Sequence, residues 1–345
     1  MKILHIASNY PPKIGGPATT VPQLCTELRK NNIECIVATH GYNGSKSKSS
    51  ENGITVYRTK DSSAEFYNCL SAIKRTYLLS RLAREIIKKE KTDIIHAHDM
   101  NISAISGIIG SIGTKTRKIA KYPGDLAWET ANMKSLTAKT PEEFFKKNSI
   151  KTKAYHLIQK FICMRYDKII APSNYMKKWL IKNSSVNPQK IRVIYNAINK
   201  EKYSPTEIMN LRKRLLGKNK HLVISACRMV PWKGLDLLVK SFDNMPKDTK
   251  LILVGDGPEK ERLKSMAKGK NIEFTGKIDH SEIQAYLKAS DIFVQPSHYE
   301  PSSIALLDCL ATQTLIIASN VGGTPEIIEH KKTGILIKNN TPKSY

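Results

Sequence analysis

Asp291-Ile-Phe-Val-Gln-Pro296, running directly into Ser297-His-Tyr-Glu300-Pro-Ser302-Ser303-Ile304-Ala-Leu-Leu-Asp308, is the stretch from which the fold can be read. The first piece has the β-branched and aromatic character of a short buried strand, and Ile304 to Ala311 has helical apolar spacing. A small-residue turn joins them, bracketed by the carboxylates of Glu300 and Asp308. Where a strand turns into a helix, the amides of Ser302, Ser303 and Ile304 lack intrahelical partners. They lie at the positive end of the helix dipole, which makes an anion site. Asp308 falls one to two turns into the helix and can face the same side as Glu300. An acid at the mouth and another a turn deeper suit a ligand that carries both phosphate and hydroxyls. A helix cap followed by a solvated aspartate has the same sequence, so the neighbours decide between the two.

Those neighbours repeat the strand–loop–helix pattern in both directions. The chain opens with a strand at Lys2 to Ala7, a loop containing Gly15-Gly16-Pro17, a helix at Val21 to Asn31 and a strand at Glu34 to Thr39. That order begins a doubly wound sheet, in which ligands sit at the carboxyl ends of the strands. Gly44 to Asn52 reads as a Ser/Lys-rich loop, Ile54 to Arg58 as a strand and Leu70 to Lys91 as a basic amphipathic helix. Strands follow at Thr92 to Asp99, at Lys118 to Tyr122 before Pro123-Gly124-Asp125, and at Lys168 to Ser173 before a helix at Asn174 to Lys182. A second series holds strands at His221 to Cys227, Ile272 to Thr275, Leu315 to Ser319 and Thr333 to Ile337, with helices at Leu235 to Phe242 and Ser281 to Ser290. In the same series a strand from Lys250 ends in Gly255-Asp-Gly257, where Lys260 occupies the place of the third glycine of a dinucleotide fingerprint. The reading is an α/β chain of two doubly wound, Rossmann-like domains, 1–197 and 198–345.

Composition agrees and narrows the class. With 345 residues there is room for two cores, and 40% apolar with 7% aromatic residues is ordinary for a globular protein. Met1 to Ala7 is too short for a signal peptide, and the uncharged runs at Met100 to Thr114 and Cys309 to Pro325 are too short and polar to span a bilayer. A cytoplasmic protein, peripheral at most to the inner face of a membrane, is expected. Six scattered cysteines without a C-x-x-C pair indicate neither a zinc site nor a disulfide framework. Residues 1–197 carry 33 Lys+Arg against 14 Asp+Glu, and 198–345 carry 23 against 16, so +19 of the net +26 lies in the first domain. Such a field favours anionic membrane, nucleic acid or phosphorylated substrates, or is a solvated surface. Pro141 to Arg165 interleaves Lys and Arg with Phe144, Phe145, Tyr155, Leu157, Ile158, Phe161 and Ile162, which suits a membrane-facing helix and a core-facing one alike.

Four landmarks now stand in order: Gly15-Gly16, Arg228 with Lys233 five residues on, Glu300-x7-Asp308, and Gly322-Gly-x-Pro-Glu326. Together, over essentially the whole chain, they resemble the retaining glycosyltransferases of family 4, whose fold is GT-B: two Rossmann-like domains with the active site in the cleft between them. The second acid of the family's E-x7-E pair is Asp308 here. Ile191 to Asn199 resembles the hinge that closes the first domain, with Ala197 in place of the usual glycine. Chains of the family continue past the last strand into helices that cross back onto the first domain. This sequence stops at Tyr345, so either it is shortened there or the crossover is missing, which bears on interdomain closure.

The resemblance implies transfer of a hexose-type sugar from a nucleotide diphosphate sugar, held by the second domain, to a hydroxyl of a glycan or lipid-linked acceptor held by the first. Arg228 and Lys233 would hold the diphosphate, where two fixed cations act most as the leaving group gains charge. Gly15 and Gly16 would border that diphosphate, Gly255 and Gly257 would line the nucleotide side, and Lys277 lies in the loop whose backbone touches the base. Asp308 would take the ribose hydroxyls. Glu300 would hold hydroxyls of the transferred sugar, supported by the amides of Ser302, Ser303 and Ile304. His98, with Asp99, is a candidate for acceptor contacts. Asp125 is the polar group near the sugar, since Gly124 stands where some relatives have histidine. Retention in the family is explained by same-face attack, with the leaving phosphate taking the acceptor proton. No D-x-D pair is present, because Asp256 and Asp291 lack a partner, so neither a metal nor another cofactor is expected. An anionic membrane surface is an expected partner of the basic first domain. Two rivals are a GT-B-like nucleotide-sugar epimerase and a basic nucleic-acid-binding protein, though no recognition motif for the latter is present.

Overall fold

The computed structural model describes residues 1–13, 16–42, 44–60, 69–132, 140–146, 150–184 and 186–345, so Gly15 lies outside the described residues. The chain packs into two compact units, Met1–Leu126 with Ser149–Asn196, and Ala127–Asn148 with Ala197–Tyr345.

The first unit contains β1 (Lys2–Ile6), α1 (Gly16–Lys30), β2 (Glu34–Thr39), β3 (Lys48–Glu51), β4 (Ile54–Arg58), α2 (Cys69–Glu90), β5 (Ile94–Ala97), α3 (Ile102–Gly110) and β6 (Arg117–Lys121). After the short helices α4 (Leu126–Ala131) and α5 (Pro141–Lys146) come α6 (Ile150–Arg165), β7 (Lys168–Ala171), α7 (Asn174–Ser184) and β8 (Ile191–Val193). The sheet order is β3-β4-β2-β1-β5-β6-β7-β8. All neighbours are parallel except the edge pair β3 and β4. Both faces of the central strands are covered, which is why β1, β2 and β5 are buried almost end to end rather than in alternation. Leu4, Ile6, Ile36, Ala38 and Ile95 pack with Leu79, Ala83 and Ile86 of α2, while Cys35, Val37, Ile54 and Val56 pack with Val21 and Cys25 of α1.

The second unit contains α8 (Pro205–Leu216), β9 (His221–Ala226), α9 (Leu235–Ser241), β10 (Thr249–Val254), α10 (Lys260–Met266), β11 (Ile272–Gly276), α11 (His280–Ala289), β12 (Ile292–Gln295), α12 (Ile304–Thr312), β13 (Leu315–Ser319) and β14 (Ile335–Ile337). Its parallel sheet runs β11-β10-β9-β12-β13-β14. Leu222, Ile224, Ile252 and Phe293 meet Leu287 and Leu306 on one face; Val223, Leu251, Leu253 and Val294 meet Leu235, Leu238 and Leu263 on the other. The expected strand–turn–helix at 291–311 is β12, its turn and α12.

Three differences from the sequence reading have physical causes. Residues 48–51, expected within a loop, form β3, an edge strand whose polar side chains tolerate solvent; Ser49 pairs with Val56 and its Oγ accepts from Arg58 at 2.7 Å. Helices α3, α8 and α10 were not anticipated, although Ser204-Pro-Thr-Glu207 is a capping-box signal and both of its hydrogen bonds form. Residues 127–148, placed by sequence in the first domain, group with the second unit, where Trp128 packs on Trp232 and Tyr299 with ring centroids 5.2 and 4.6 Å apart.

No helix among the described residues is long and apolar enough to cross a membrane. Phe293 is fully buried at the centre of the second unit's core. Phe293→Ala is expected to cost that unit about 3–5 kcal/mol, read from its urea midpoint.

Candidate functional site

In the second unit the loops leaving the carboxyl ends of β9, β10, β12 and β13 are tied into one another. His298 in the loop after β12 donates its amide to Trp232 O at 2.8 Å, and Gly323 donates to Glu300 O at 2.8 Å. Close approach dictates glycine at two of these joints. Gly234 has φ +65°, and a Cβ there would lie 2.1 Å from Pro296 O; Gly322 has φ +57°, and a Cβ there would lie 2.1 Å from Glu300 O. Further along, Met229 donates to Asp256 O at 2.9 Å, and Gly255 to Gly276 O at 2.8 Å, which brings the Gly255–Gly257 turn against the Arg228 loop and next to Lys277. Trp232 and Tyr299, the residues before Lys233 and Glu300, are buried and both pack on Trp128.

Lys233 and Glu300 meet at the centre of this junction, Nζ to Oε2 at 2.5 Å, with the carboxylate buried and the lysine nearly so. Burial pulls the Lys233 ammonium down, but the charge and hydrogen bond of Glu300, with Cys227 and Glu129, together outweigh that loss and hold it above the ordinary lysine value. Arg228 behaves differently: its side chain is exposed, with no ion pair among the described residues. Lys277 is likewise exposed. At the start of α12, Ser303 Oγ accepts from Leu306 N at 3.3 Å and donates to Gln295 Oε1 at 2.6 Å. Ser302 is half-buried in the turn, and the Ile304 amide begins the helix beyond the reach of that cap.

Asp308 does not join the Lys233–Glu300 pair by a direct contact. It is buried in a second cluster, where Gln284 Nε2 donates to Oδ1 at 2.9 Å and His280 Nε2 lies 3.4 Å from Oδ2. The same Gln284 amide donates to Asn199 O at 2.7 Å. Neither His280 nor Gln284 was singled out from sequence, because their relation to Asp308 depends on how α11 packs against α12.

In the first unit His98 and Asp125 are buried, Asp99 is half-buried and Gly16 is exposed. His98 Nε2 lies 3.0 Å from His5 Nδ1, and the tilted His96 ring lies beside it with centroids 4.1 Å apart. Burial first, then neighbouring charges, push His96 and His98 well below the usual histidine range, so both imidazoles are neutral. Asp99 caps α3 instead of reaching outward: Oδ1 accepts from the amides of Asn101 at 3.0 Å and Ser103 at 3.1 Å. Asp125 is fully buried, accepting from Trp179 Nε1 at 3.0 Å and Tyr122 Oη at 3.1 Å. Gly16 opens α1 with free space around its Cα.

Two groupings there have the donor chemistry of metal ligands: His5, His96 and His98, and His5 with Cys25 and Cys35, each set with its ligand atoms within 4.8 Å. The scattered cysteine spacing concealed the second, since Cys25 is on α1 and Cys35 on β2. Lys121 faces the histidines and donates to Asn196 Oδ1 at 2.7 Å, and its charge opposes a second cation.

Comparison with known proteins follows the two units. Glycosyltransferase Family 4 matches residues 14–202, and Glycosyl transferases group 1 matches residues 208–345. Uncharacterized glycosyltransferase MJ1607 of Methanocaldococcus jannaschii is 26% identical over 100% of this chain and 87% of its own length. The phosphatidylinositol N-acetylglucosaminyltransferase GPI3 subunit of Saccharomyces cerevisiae is 23% identical over 96% of this chain and 70% of its own. Among solved structures, sucrose-phosphate synthase from Thermosynechococcus elongatus superposes with a TM-score of 0.82 at 18% identity, covering 99% of this chain and 87% of that one. Anabaena Alr3699/HepE in complex with UDP-glucose gives 0.74 at 19%, with the same coverage. The fold is GT-B.

Two measurements test the electrostatics. Lys233→Met strands Glu300 as a buried charge and is expected to cost about 3–5 kcal/mol, most of it recovered in Lys233→Met/Glu300→Gln; a single variant as stable as the double contradicts the pair's role. Burial pulls the Lys121 ammonium from 10.5 down to about 8, so folding releases its proton between those values and the penalty is fully present below pH 8. Lys121→Met should raise the urea midpoint at pH 7, by on the order of 3 kcal/mol at most, with the gain shrinking as pH rises toward 10.5.

Proposed function

Because this chain belongs to Glycosyltransferase Family 4 and is therefore a glycosyltransferase, we propose that it moves a hexose from a nucleoside diphosphate sugar to a hydroxyl of a glycan or lipid-linked acceptor, with retention at the anomeric carbon and without a divalent ion. The observation that carries this is the Lys233–Glu300 pair beside an exposed Arg228 and the start of α12. The HepE complex with UDP-glucose and the phosphatidylinositol in the GPI3 subunit's name support the donor and acceptor classes.

The ion pair is the resting form of the site. A diphosphate is a stronger partner for Lys233 than one carboxylate, and Arg228 supplies a planar fork for the same oxygens. When Lys233 turns to phosphate, Glu300 is released to accept hydroxyls of the sugar it had been held away from. The amides at the start of α12 face the oxygens that gain charge as the glycosidic bond breaks, so the cations and dipoles act most at the transition state. Asp308 takes the ribose hydroxyls through the oxygen it shares with His280, while Gln284 holds the other. Gly255, Gly257 and Lys277 lie on the nucleotide side. In the first unit His98 and Asp125 order the acceptor-side loops from within. The phosphate leaving on the acceptor's face takes the acceptor proton, which needs neither a protein nucleophile nor a metal.

A thermal-shift screen of the full chain against UDP, GDP, ADP and their sugar conjugates tests the reading, since a ligand of the folded state raises its stability. One nucleotide family is expected to raise Tm, and EDTA to leave that shift unchanged. Arg228→Ala should weaken binding by about 10–100-fold, as loss of a charge-assisted contact implies. Glu300→Gln should keep binding within a few-fold while turnover falls by about 100-fold or more. No shift with any sugar nucleotide contradicts the proposal.

A further inference from the structure

Alternation along β1 sends Leu4 and Ile6 to the α2 side of the first sheet and His5 to the α1 side. There His5 joins Cys35 of β2 and Cys25 of α1, and the three are 0%, 3% and 0% exposed. A ring nitrogen of His5 and the two Sγ atoms all lie within 4.8 Å of one another. Both cysteines are free thiols, and Val21, Val37, Ile54 and Val56 pack with them as an apolar wall. The Nδ1 atom of His5 meets His98 Nε2 at 3.0 Å, whereas its Nε2 is buried with no hydrogen-bond partner. An unpartnered buried polar atom calls for an explanation. With the ring proton on Nδ1 and donated to His98, the imidazole is held in orientation and Nε2 keeps a lone pair to give.

Ligands bound to one ion at about 2.0–2.3 Å stand roughly 4 Å from each other, which this group can meet without moving its backbone. Two sulfurs and an imidazole, with no carboxylate in the set, suit a thiophilic cation and not magnesium, calcium or manganese. The alternative grouping of His5, His96 and His98 is the poorer one, because the Lys121 charge acts on both His96 and His98. We propose that His5, Cys25 and Cys35 bind one zinc(II) or copper(I) ion. On binding, each thiol releases its proton to solvent, and the ion joins the two Sγ atoms and Nε2 of His5. Three donors complete a trigonal copper(I) site, whereas zinc takes a fourth ligand from water. Because β1 and β2 are paired neighbours, the ion would pin α1, which opens at Gly16, onto two fixed strands. This site is separate from the Lys233–Glu300 junction, and the transfer proposed above does not use it.

Metal content and Tm of the reduced full chain test this, after chelator treatment and dialysis against zinc(II) in one arm and, without oxygen, copper(I) in another. One equivalent per chain and a raised Tm are expected with one of the two ions, and neither with magnesium. Cys25→Ser/Cys35→Ser should lose both the equivalent and the rise. Cys163→Ala, which removes a buried thiol elsewhere, should keep both. X-ray absorption of the loaded wild-type protein covers the case in which the double variant misfolds. It should read two sulfurs at about 2.3 Å and an imidazole nitrogen at about 2.0 Å. An ion held through nitrogen and oxygen alone, an equivalent retained by the folded double variant, or no equivalent of either ion would overturn the proposal. The nucleotide-induced Tm shift is a separate readout: its absence with the ion bound leaves this site standing and fails the catalytic reading, and a shift with no ion bound does the reverse.

Discussion

A lysine ammonium held 2.5 Å from a buried glutamate is the interaction on which the second unit's proposed ligand site depends. Neither charge could stay buried alone, because desolvating one ion costs several kcal/mol. Together they are tolerated, and the pair fixes the end of the loop after β9 against the loop after β12. The glycines at 234 and 322 follow from that constraint, since the backbones on either side of the pair approach too closely for a Cβ. Next to the pair in sequence, Trp232 and Tyr299 are buried and join the two loops through Trp128. A junction built this way stores two opposite charges that a phosphate and a sugar hydroxyl can each claim.

The two units use buried polar groups to different ends. In the first, His5 meets His98 and the Asp99 and Asp125 carboxylates accept from nearby backbone and side-chain donors, while Nε2 of His5 and of His96 is buried without a hydrogen-bond partner and burial keeps His96 and His98 neutral. That is a polar interior that fixes loop geometry. In the second, Arg228 in the loop that carries Lys233, and Lys277 after β11, keep their cations exposed. The excess charge of the first unit lies partly on α6 and α7, outside its sheet-end loops.

Much of the architecture was legible because parallel strands buried on both faces read as apolar runs, and Ile292–Gln295 and Thr249–Val254 do so plainly. Glu300 and Lys233 were legible as candidates through their places in an ordered set of landmarks. Their mutual contact was not, since 67 residues separate them and only the sheet order sets β9 beside β12. The internal hydrogen bonds of Asp99 and Asp125 were not legible, because a polar residue at a strand end has the same sequence whether it faces outward or accepts from its neighbours. The face of α6 was undecidable for a similar reason: with apolar residues on both sides, periodicity cannot say which side is core. β3 escaped notice because a polar edge strand resembles a loop.

The direct measurement is a structure of the full chain with UDP, or whichever nucleoside diphosphate raises its Tm, bound to it. Phosphate oxygens within hydrogen-bond distance of Lys233 Nζ, Arg228 and the first amides of α12, with Glu300 parted from Lys233, are the predicted result. A nucleotide bound away from β9 and β12, or bound there with the Lys233–Glu300 contact intact, would contradict it.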